Sequence, residues 1–319
     1  MSKSEIMQIV LGAGGPVSNE LTKELLKNGI APMLVSRKPV TAFPTVEWKK
    51  ADLKDLKETL AATKGATVIY MCAGLQYNKK IWSAEWPLIM DNLVAAAKET
   101  GARLIFFDNV YMYGHVKGPM TEETPYNPKS VKGEIRARIA RKLLDESKSG
   151  NINGTIARAA DFYGAESLNS FFDTMVLQKF SKKEKAMWMG NADTLHSLTY
   201  VPDAGKAMYL LGQQPSSGNQ VWHVPTEKAM TGKDFIALAA KIFHTNPRYF
   251  EVRKLMLQAF GLMNPLVGET VELYYQYQFD YVFDSTKFEN AFGVKPTAYE
   301  TGISTLFENF WQRNGKNPV

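Results

Sequence analysis

Short apolar runs alternate with amphipathic stretches along the first third of the chain. The apolar runs are rich in β-branched and aromatic residues and predict strands in "EIMQIVLGA", "APMLVSR", "VEWKKAD", "ATVIYMCAG" and "ARLIFFDN". The stretches between them have helical periodicity, which begins at Ser18, at Leu53 and again within "WPLIMDNLVAAAKETG". Because successive parallel strands need a crossover connection, this alternation predicts an α/β fold with a doubly wound, Rossmann-type parallel sheet.

A glycine-rich turn joins the first predicted strand to the first predicted helix, in "VLGAGGPVSNELTKELL". At such a junction Gly12 permits the tight turn and Gly15 lets the backbone approach a pyrophosphate. Ser18 stands where a third glycine is typical, is small enough for close helix packing, and is predicted to cap the helix. The turn therefore predicts a dinucleotide site formed by Gly12, Gly15, Pro16 and Val17.

The end of the second predicted strand indicates which dinucleotide is bound. A carboxylate there would pair with the ribose hydroxyls of NAD, whereas Ser36, Arg37 and Lys38 suit the 2′-phosphate of NADP. The alternative is that these cations only face solvent. We expect NADP(H) to be preferred over NAD(H). The remaining predicted contacts are Asp52 and Leu53 beside the adenine, and Cys72, Ala73 and Gly74 beside the dinucleotide.

The composition of the chain indicates which kinds of partner it binds and in which cell compartment it is expected. The formal net charge of +6 and the pI of about 9.1 favour an anionic small molecule, while the scattered lysines argue against a nucleic-acid partner. A single cysteine excludes an internal disulfide framework, and the histidine spacing predicts no metal site. No apolar run is long enough to span a bilayer and no signal-peptide pattern precedes the first strand, so we expect a cytoplasmic protein without a membrane partner, either monomeric or homodimeric.

Further segments follow in a fixed order. They are "DNVYMYG" at 108–114, "TIARAADFYGAES" at 155–167, "HSLTYVPDAGKAM" at 196–208 and the stretch 283–311. With the glycine turn, they resemble the short-chain dehydrogenase/reductase superfamily in its extended, NAD-dependent epimerase/dehydratase-like form. The resemblance implies an NAD(P)-binding Rossmann domain over residues 1–163 and a smaller α+β substrate lobe over residues 164–319, with some segments of the latter returning to the Rossmann core.

The sequence departs from the family pattern where the family carries out proton transfer. The family uses a Ser or Thr, followed on the next helix by Tyr-x-x-x-Lys, and the matching positions here are Asn109, Lys132 and Arg136. One reading makes Lys132 the proton donor, with its pKa depressed by Arg136, which would also grip the cofactor ribose. A second makes Tyr111 the donor. A third gives Lys132 and Arg136 only a binding role and no hydride transfer.

The resemblance and these residues together lead to two main functional hypotheses, and a third, weaker one is an RNA-binding member of the superfamily. The first is an atypical NADP(H)-binding oxidoreductase or epimerase-like enzyme that acts on a small polar or nucleotide-linked carbonyl or alcohol. The second is a non-catalytic protein that senses NADP(H). His196 and His223 are interpreted as structural, because an isolated histidine is more often a satisfied core residue than a catalyst.

Overall fold

The structure, a computed structural model, describes residues 7–164 and 170–313. Its strands are β1 (Gln8–Leu11), β2 (Met33–Ser36), β3 (Trp48–Lys50), β4 (Val68–Met71), β5 (Arg103–Asp108), β6 (Asn153–Arg158), β7 (Asp161–Tyr163), β8 (Ala186–Met189), β9 (Leu195–His196), β10 (Leu198–Tyr200), β11 (Val221–His223), β12 (Met230–Thr231) and β13 (Tyr249–Val252). Its α-helices are α1 (Pro16–Lys27), α2 (Leu56–Thr63), α3 (Lys79–Thr100), α4 (Val131–Lys148), α5 (Gln178–Ser181), α6 (Val201–Gln213), α7 (Gly232–Ile242), α8 (Lys254–Met263), α9 (Pro265–Gly268), α10 (Thr286–Phe292) and α11 (Tyr299–Arg313).

Seven parallel strands form the central sheet, in the order β11-β6-β5-β4-β1-β2-β3. Side chains alternate between its faces. On β1, Ile9 and Leu11 pack with α2, α3 and α4, whereas Val10 packs with α1 and α6 on the opposite face. Both faces are therefore covered, which explains why the inner strands β1, β4 and β5 are mostly apolar, whereas the edge strand β3 is not. The predicted doubly wound Rossmann-type fold is confirmed.

Two predicted helix starts were wrong. Helix α1 begins at Pro16 with Gly15 as its N-cap, because the ring of proline fixes a helical φ and sets the first turn before Ser18 is reached. Ser18 is instead buried in that turn, and its hydroxyl donates a 2.7 Å hydrogen bond to the Gly15 carbonyl. Helix α2 begins at Leu56 rather than Leu53, since the Asp55 carboxylate accepts the Glu58 N–H and caps the helix.

The second half of the chain builds a smaller lobe and also returns to the sheet. In the lobe β8 pairs with β13, and a core that includes Phe172, Trp188, Phe235 and Ile303 joins these strands to α7 and α11. Strand β11 returns to pair with β6, and α6 packs against α1. The last three residues of the segment 155–167 lie outside the described residues. Among those that are described, none forms a helix long and apolar enough to cross a membrane.

Candidate functional site

The glycine turn ends at the N-terminus of α1. Gly12 has a φ of +74°, and a side chain there would overlap the backbone of Ala73 in the loop after β4. Gly15 has an ordinary φ of −84°, and a side chain there would meet only the Ser18 hydroxyl, at 3.9 Å. Thus Gly12 is required for packing of the two loops, whereas Gly15 leaves an open face at the start of the helix.

The helix start also carries free donors. The first hydrogen bond within α1 runs from the Asn19 N–H to the Gly15 carbonyl, at 2.9 Å. The N–H groups of Val17 and Ser18 precede it, and Pro16 has none, so Val17 and Ser18 supply donors without an acceptor inside the helix. Together with the positive end of the helix dipole, they form a site suited to a phosphate.

The end of β2 is cationic. Arg37 and Lys38 are exposed, and in the register of β2 with β3 Ser36 lies opposite Lys50, a further exposed cation that the sequence analysis missed. The Ser36 hydroxyl accepts from the Trp48 indole at 2.8 Å and donates to the Lys38 carbonyl at 2.5 Å. Ser36 therefore shapes the loop, and the cations are the groups available to an anion.

The remaining predicted cofactor residues lie at the ends of β3 and β4. Asp52 is partly exposed, while the Leu53 side chain is buried in the core and its carbonyl accepts a 2.9 Å hydrogen bond from Asn92. After β4, burial raises the pKa of Cys72 to about 12, so its thiol stays protonated. Ala73 packs against Gly12, and the next residue, Gly74, faces open space.

Arg136 is held in a buried ion pair behind β5. Its guanidinium contacts the Asp108 carboxylate at 2.6 Å and lies 4.5 Å from the centre of the Trp86 ring. Asp108 also pairs with Arg158 at 3.4 Å, and all three charged side chains are almost completely buried. A buried carboxylate between two guanidinium groups is stabilised by both of them, so Arg136 anchors the end of β5 to α4.

Tyr111 lies in the short 3₁₀-helix Tyr111–Tyr113 that follows β5. The Asn109 side chain accepts the Tyr111 N–H at 3.1 Å and thereby orients this turn. The Tyr77 hydroxyl donates to the Tyr111 oxygen at 3.3 Å. Burial raises the pKa of Tyr111 above its ordinary value, while the hydrogen bond from Tyr77 and the nearby Arg136 charge lower it in part. Tyr111 is therefore a protonated phenol at neutral pH whose own hydrogen has no acceptor in this pair.

Lys132 is fully buried and surrounded by acceptors. Its ammonium contacts the carboxylates of Glu269 at 2.5 Å and Glu272 at 2.6 Å, and it also donates to the Glu269 carbonyl at 2.9 Å. Tyr77 covers it, with the ring centre 4.6 Å from the nitrogen. Partial burial acts to raise the pKa of Glu269, but the hydrogen bonds and positive charges of Lys132 and Lys79 together outweigh it and lower that pKa. Because all three N–H donors of its ammonium group are used, Lys132 has a structural role here.

A further acidic group, Asp161, acts on Tyr111 electrostatically. The Asp161 carboxylate accepts from the Tyr277 hydroxyl at 2.5 Å and lies 3.1 Å from His196 Nε2. His196 is stacked between Tyr277 and Tyr281, with ring centres 4.8 and 4.5 Å away. The Tyr275 hydroxyl is buried and has no hydrogen-bond partner among the described residues. Burial raises the pKa of both Tyr275 and Tyr111, and the Asp161 charge adds to the rise in each. The site is therefore rich in phenols and has a carboxylate at its edge.

His223 has a structural role in this region. Its Nε2 contacts the Tyr113 hydroxyl at 2.8 Å, and its Nδ1 lies 2.8 Å from the Asp284 carbonyl. Burial and the nearby Arg158 lower the pKa of His223 to about 3, so the ring is neutral at physiological pH. It joins the ends of β5 and β11 to the segment that leads into α10.

The structure thus brings Asn109, Tyr111, Lys132 and Arg136 to one edge of the sheet. The sequence analysis missed Tyr77, Asp161, Glu269 and Glu272. No local pattern indicates these residues, since Glu269 and Glu272 lie 137 and 140 positions from Lys132.

Comparison with known proteins agrees with this architecture. The sequence model of the NAD dependent epimerase/dehydratase family matches residues 8–224. No curated protein matches the chain. A UDP-glucose 4-epimerase from Thermotoga maritima, solved with UDP-glucose, is 17% identical with a TM-score of 0.79, over 96% of this chain and 99% of that chain.

Further solved structures have the same fold at similarly low identity. A dTDP-glucose 4,6-dehydratase from Streptomyces venezuelae, solved with NAD bound, is 13% identical with a TM-score of 0.77, over 97% of this chain and 98% of that one. A UDP-glucose 4-epimerase from Thermus thermophilus, in complex with NAD, is 17% identical with a TM-score of 0.75, over 95% of this chain and 98% of that one. The shared fold thus extends over nearly the whole chain.

Proposed function

Because this chain belongs to the NAD dependent epimerase/dehydratase family, we propose that it is an NADP(H)-dependent oxidoreductase or epimerase-like enzyme acting on a small polar or nucleotide-linked carbonyl or alcohol. The relatives solved with UDP-glucose or NAD support this class of substrate and cofactor. The observation that carries the proposal is Tyr111, a partly buried phenol beside the end of β5 whose hydrogen is not used in its pair with Tyr77.

The residues at the edge of the sheet fit a nicotinamide dinucleotide. The open face at Gly15 and the N–H groups of Val17 and Ser18 would hold the pyrophosphate. Arg37 and Lys50 would hold the 2′-phosphate, since both are exposed and no carboxylate of β2 opposes them. When bound, the dinucleotide supplies or accepts a hydride.

Tyr111 is the proposed proton donor to the substrate oxygen. Because Tyr77 donates to the Tyr111 oxygen, the Tyr111 hydrogen is free for the substrate, and the same bond stabilises the phenolate that forms when the proton leaves. Arg136 adds a positive charge nearby, which also favours the phenolate, whereas burial and the Asp161 charge oppose it and keep the pKa of Tyr111 raised. Lys132 is a poor donor by comparison, because two carboxylates stabilise its charged form. Its proposed role is to fix the segment that carries Glu269 and Glu272 over the site.

The test follows NADPH absorbance with a panel of sugar nucleotides, small carbonyls and alcohols. Tyr111→Phe keeps the ring and removes the acid, and we expect turnover to fall about 10²–10⁴-fold with NADPH affinity unchanged. Tyr275→Phe is the matched control, because its hydroxyl is buried in the same cluster and bonds to none of the described residues. Turnover that survives Tyr111→Phe would refute this assignment.

A non-catalytic NADP(H) sensor is the second candidate, and the burial of Lys132 in ion pairs favours it. In that case Lys132, which stands at the position of the family's tyrosine, serves only to hold Glu269 and Glu272. A sensor would bind NADPH tightly, consume none with any substrate of the panel, and show a different proteolysis pattern with NADP⁺ than with NADPH. Hydride transfer to any panel substrate would exclude it.

A further inference from the structure

One short region exposes a concentrated apolar surface. Twelve large apolar side chains are exposed among the described residues, and six of these twelve lie between residues 255 and 266. Leu262 is 91% exposed, Met263 86% and Leu255 80%. The other members are Met256, Phe260 and Leu266. We call residues 254–268, which comprise α8 and α9, the apolar hairpin. Exposed apolar residues scattered singly are ordinary, but a cluster of this density indicates an interaction surface.

The hairpin is a defined structure. Leu257, on the inner side of α8, is buried with Val252, Tyr274 and Tyr277, and attaches the hairpin to the lobe. Its two helices approach closely where Gly261 meets Gly268, since a side chain at Gly261 would lie 2.8 Å from the Gly268 Cα. The exposed residues are therefore held outward by a packed base.

Exposed basic residues border the hairpin at both of its ends. Between residues 254 and 268 the sequence contains no Asp or Glu, and the exposed Arg253 and Lys254 lie at its start. At its other end, Glu269 accepts the Lys79 N–H at 2.8 Å, which brings the exposed Lys79 and Lys80 of α3 to the same side. Apolar side chains bordered by lysine and arginine suit a surface that is apolar beneath an anionic layer.

We propose that the apolar hairpin docks this protein onto the surface of an anionic lipid bilayer. Helix α8 has ten residues, about 15 Å of helix, so it lies in the interface and does not span the bilayer. Self-association through this face would bring the same cations of two copies, each with a net charge of +6, close together, which disfavours a dimer. The sequence led us to expect no membrane partner, because no apolar run is long enough to span a bilayer. A helix that docks on the surface of a bilayer needs no such run.

The experiment measures co-flotation of the full chain with vesicles of phosphatidylcholine alone and of phosphatidylcholine mixed with phosphatidylglycerol. We expect binding to the anionic vesicles, weakened by added salt, and little binding to the neutral ones. The double variant Leu262→Glu/Met263→Glu should lower binding about tenfold or more, because both side chains are almost fully exposed and their loss leaves the fold intact.

The matched control is Leu26→Glu/Leu56→Glu, which adds the same charge at exposed leucines of α1 and α2. This control should bind anionic vesicles almost as well as the parent. Three results would overturn the proposal: no binding to either vesicle, equal loss in both double variants, or a dimer in light scattering that Leu262→Glu/Met263→Glu converts to a monomer. A dimer of that kind would assign the hairpin to self-association.

Discussion

Replacing Gly15 by alanine separates ligand binding from folding at the glycine turn. The φ of −84° is open to any residue, and the nearest protein atom to the new methyl group is the Ser18 hydroxyl at 3.9 Å. Alanine is a weaker N-cap than glycine by about 0.5–1 kcal/mol, and it stabilises by a similar amount through the lower entropy of the unfolded chain. We therefore expect the free energy of unfolding to change by less than about 1 kcal/mol.

Dinucleotide affinity should respond strongly to the same change. The methyl group occupies the open face through which a phosphate would reach the α1 donors, and each hydrogen bond to a charged group is worth about 1.5–3 kcal/mol. Loss of one such bond predicts an affinity for NADPH that is roughly 10- to 100-fold weaker. Fluorescence titration measures the affinity, and urea unfolding of the same sample measures the stability.

Two further glycine variants complete this test. Gly12→Ala forces a side chain into the Ala73 backbone at positive φ, so it should cost several kcal/mol of stability, about 3 or more. Gly150→Ala also sits at positive φ but in open space, and should cost about 1 kcal/mol without changing affinity. If Gly15→Ala binds NADPH as the parent does, the phosphate does not approach this face and the site is wrongly placed.

Further predictions concern charge. Arg37→Ala should weaken NADPH binding about tenfold and leave NADH binding unchanged, because only the 2′-phosphate needs the cation; equal losses for both would contradict the NADP assignment. Lys132→Met should lower the free energy of unfolding at pH 7 by about 3 kcal/mol, since Glu269 and Glu272 lose their cation. The pKa of Glu269 is depressed, so this difference should shrink as the pH falls below about 4.5, as urea unfolding across pH would show. Burial raises the pKa of Asp173 to about 7, so the parent should lose up to about 4 kcal/mol of stability between pH 4 and 7, and Asp173→Asn should remove most of that loss.

Local sequence patterns determined the Rossmann core of this protein. Residues 9–11 of strand β1 are all apolar because both faces of the sheet are covered, and the turn after the strand contains the glycines that a positive φ and a close backbone approach require. Such features depend on neighbours within a few residues, so they can be predicted from the period of the apolar residues and from the residue types in turns. Even here the start of α1 was predicted wrongly. The capping pattern favoured Ser18, whereas the fixed φ of Pro16 starts the helix two residues earlier.

The partners of the site residues were decided only by the tertiary structure. Lys132 and Arg136 are four residues apart on one helix, yet Lys132 meets carboxylates from the end of α9 and the turn after it, whereas Arg136 meets Asp108 from β5. Asp161 and His196 come together only because β7 pairs with β10, beside which His196 lies. Charge and burial act through space, so the role of a polar side chain depends on which distant segment packs against it. The periodicity of apolar residues along the chain does not indicate which segment that is.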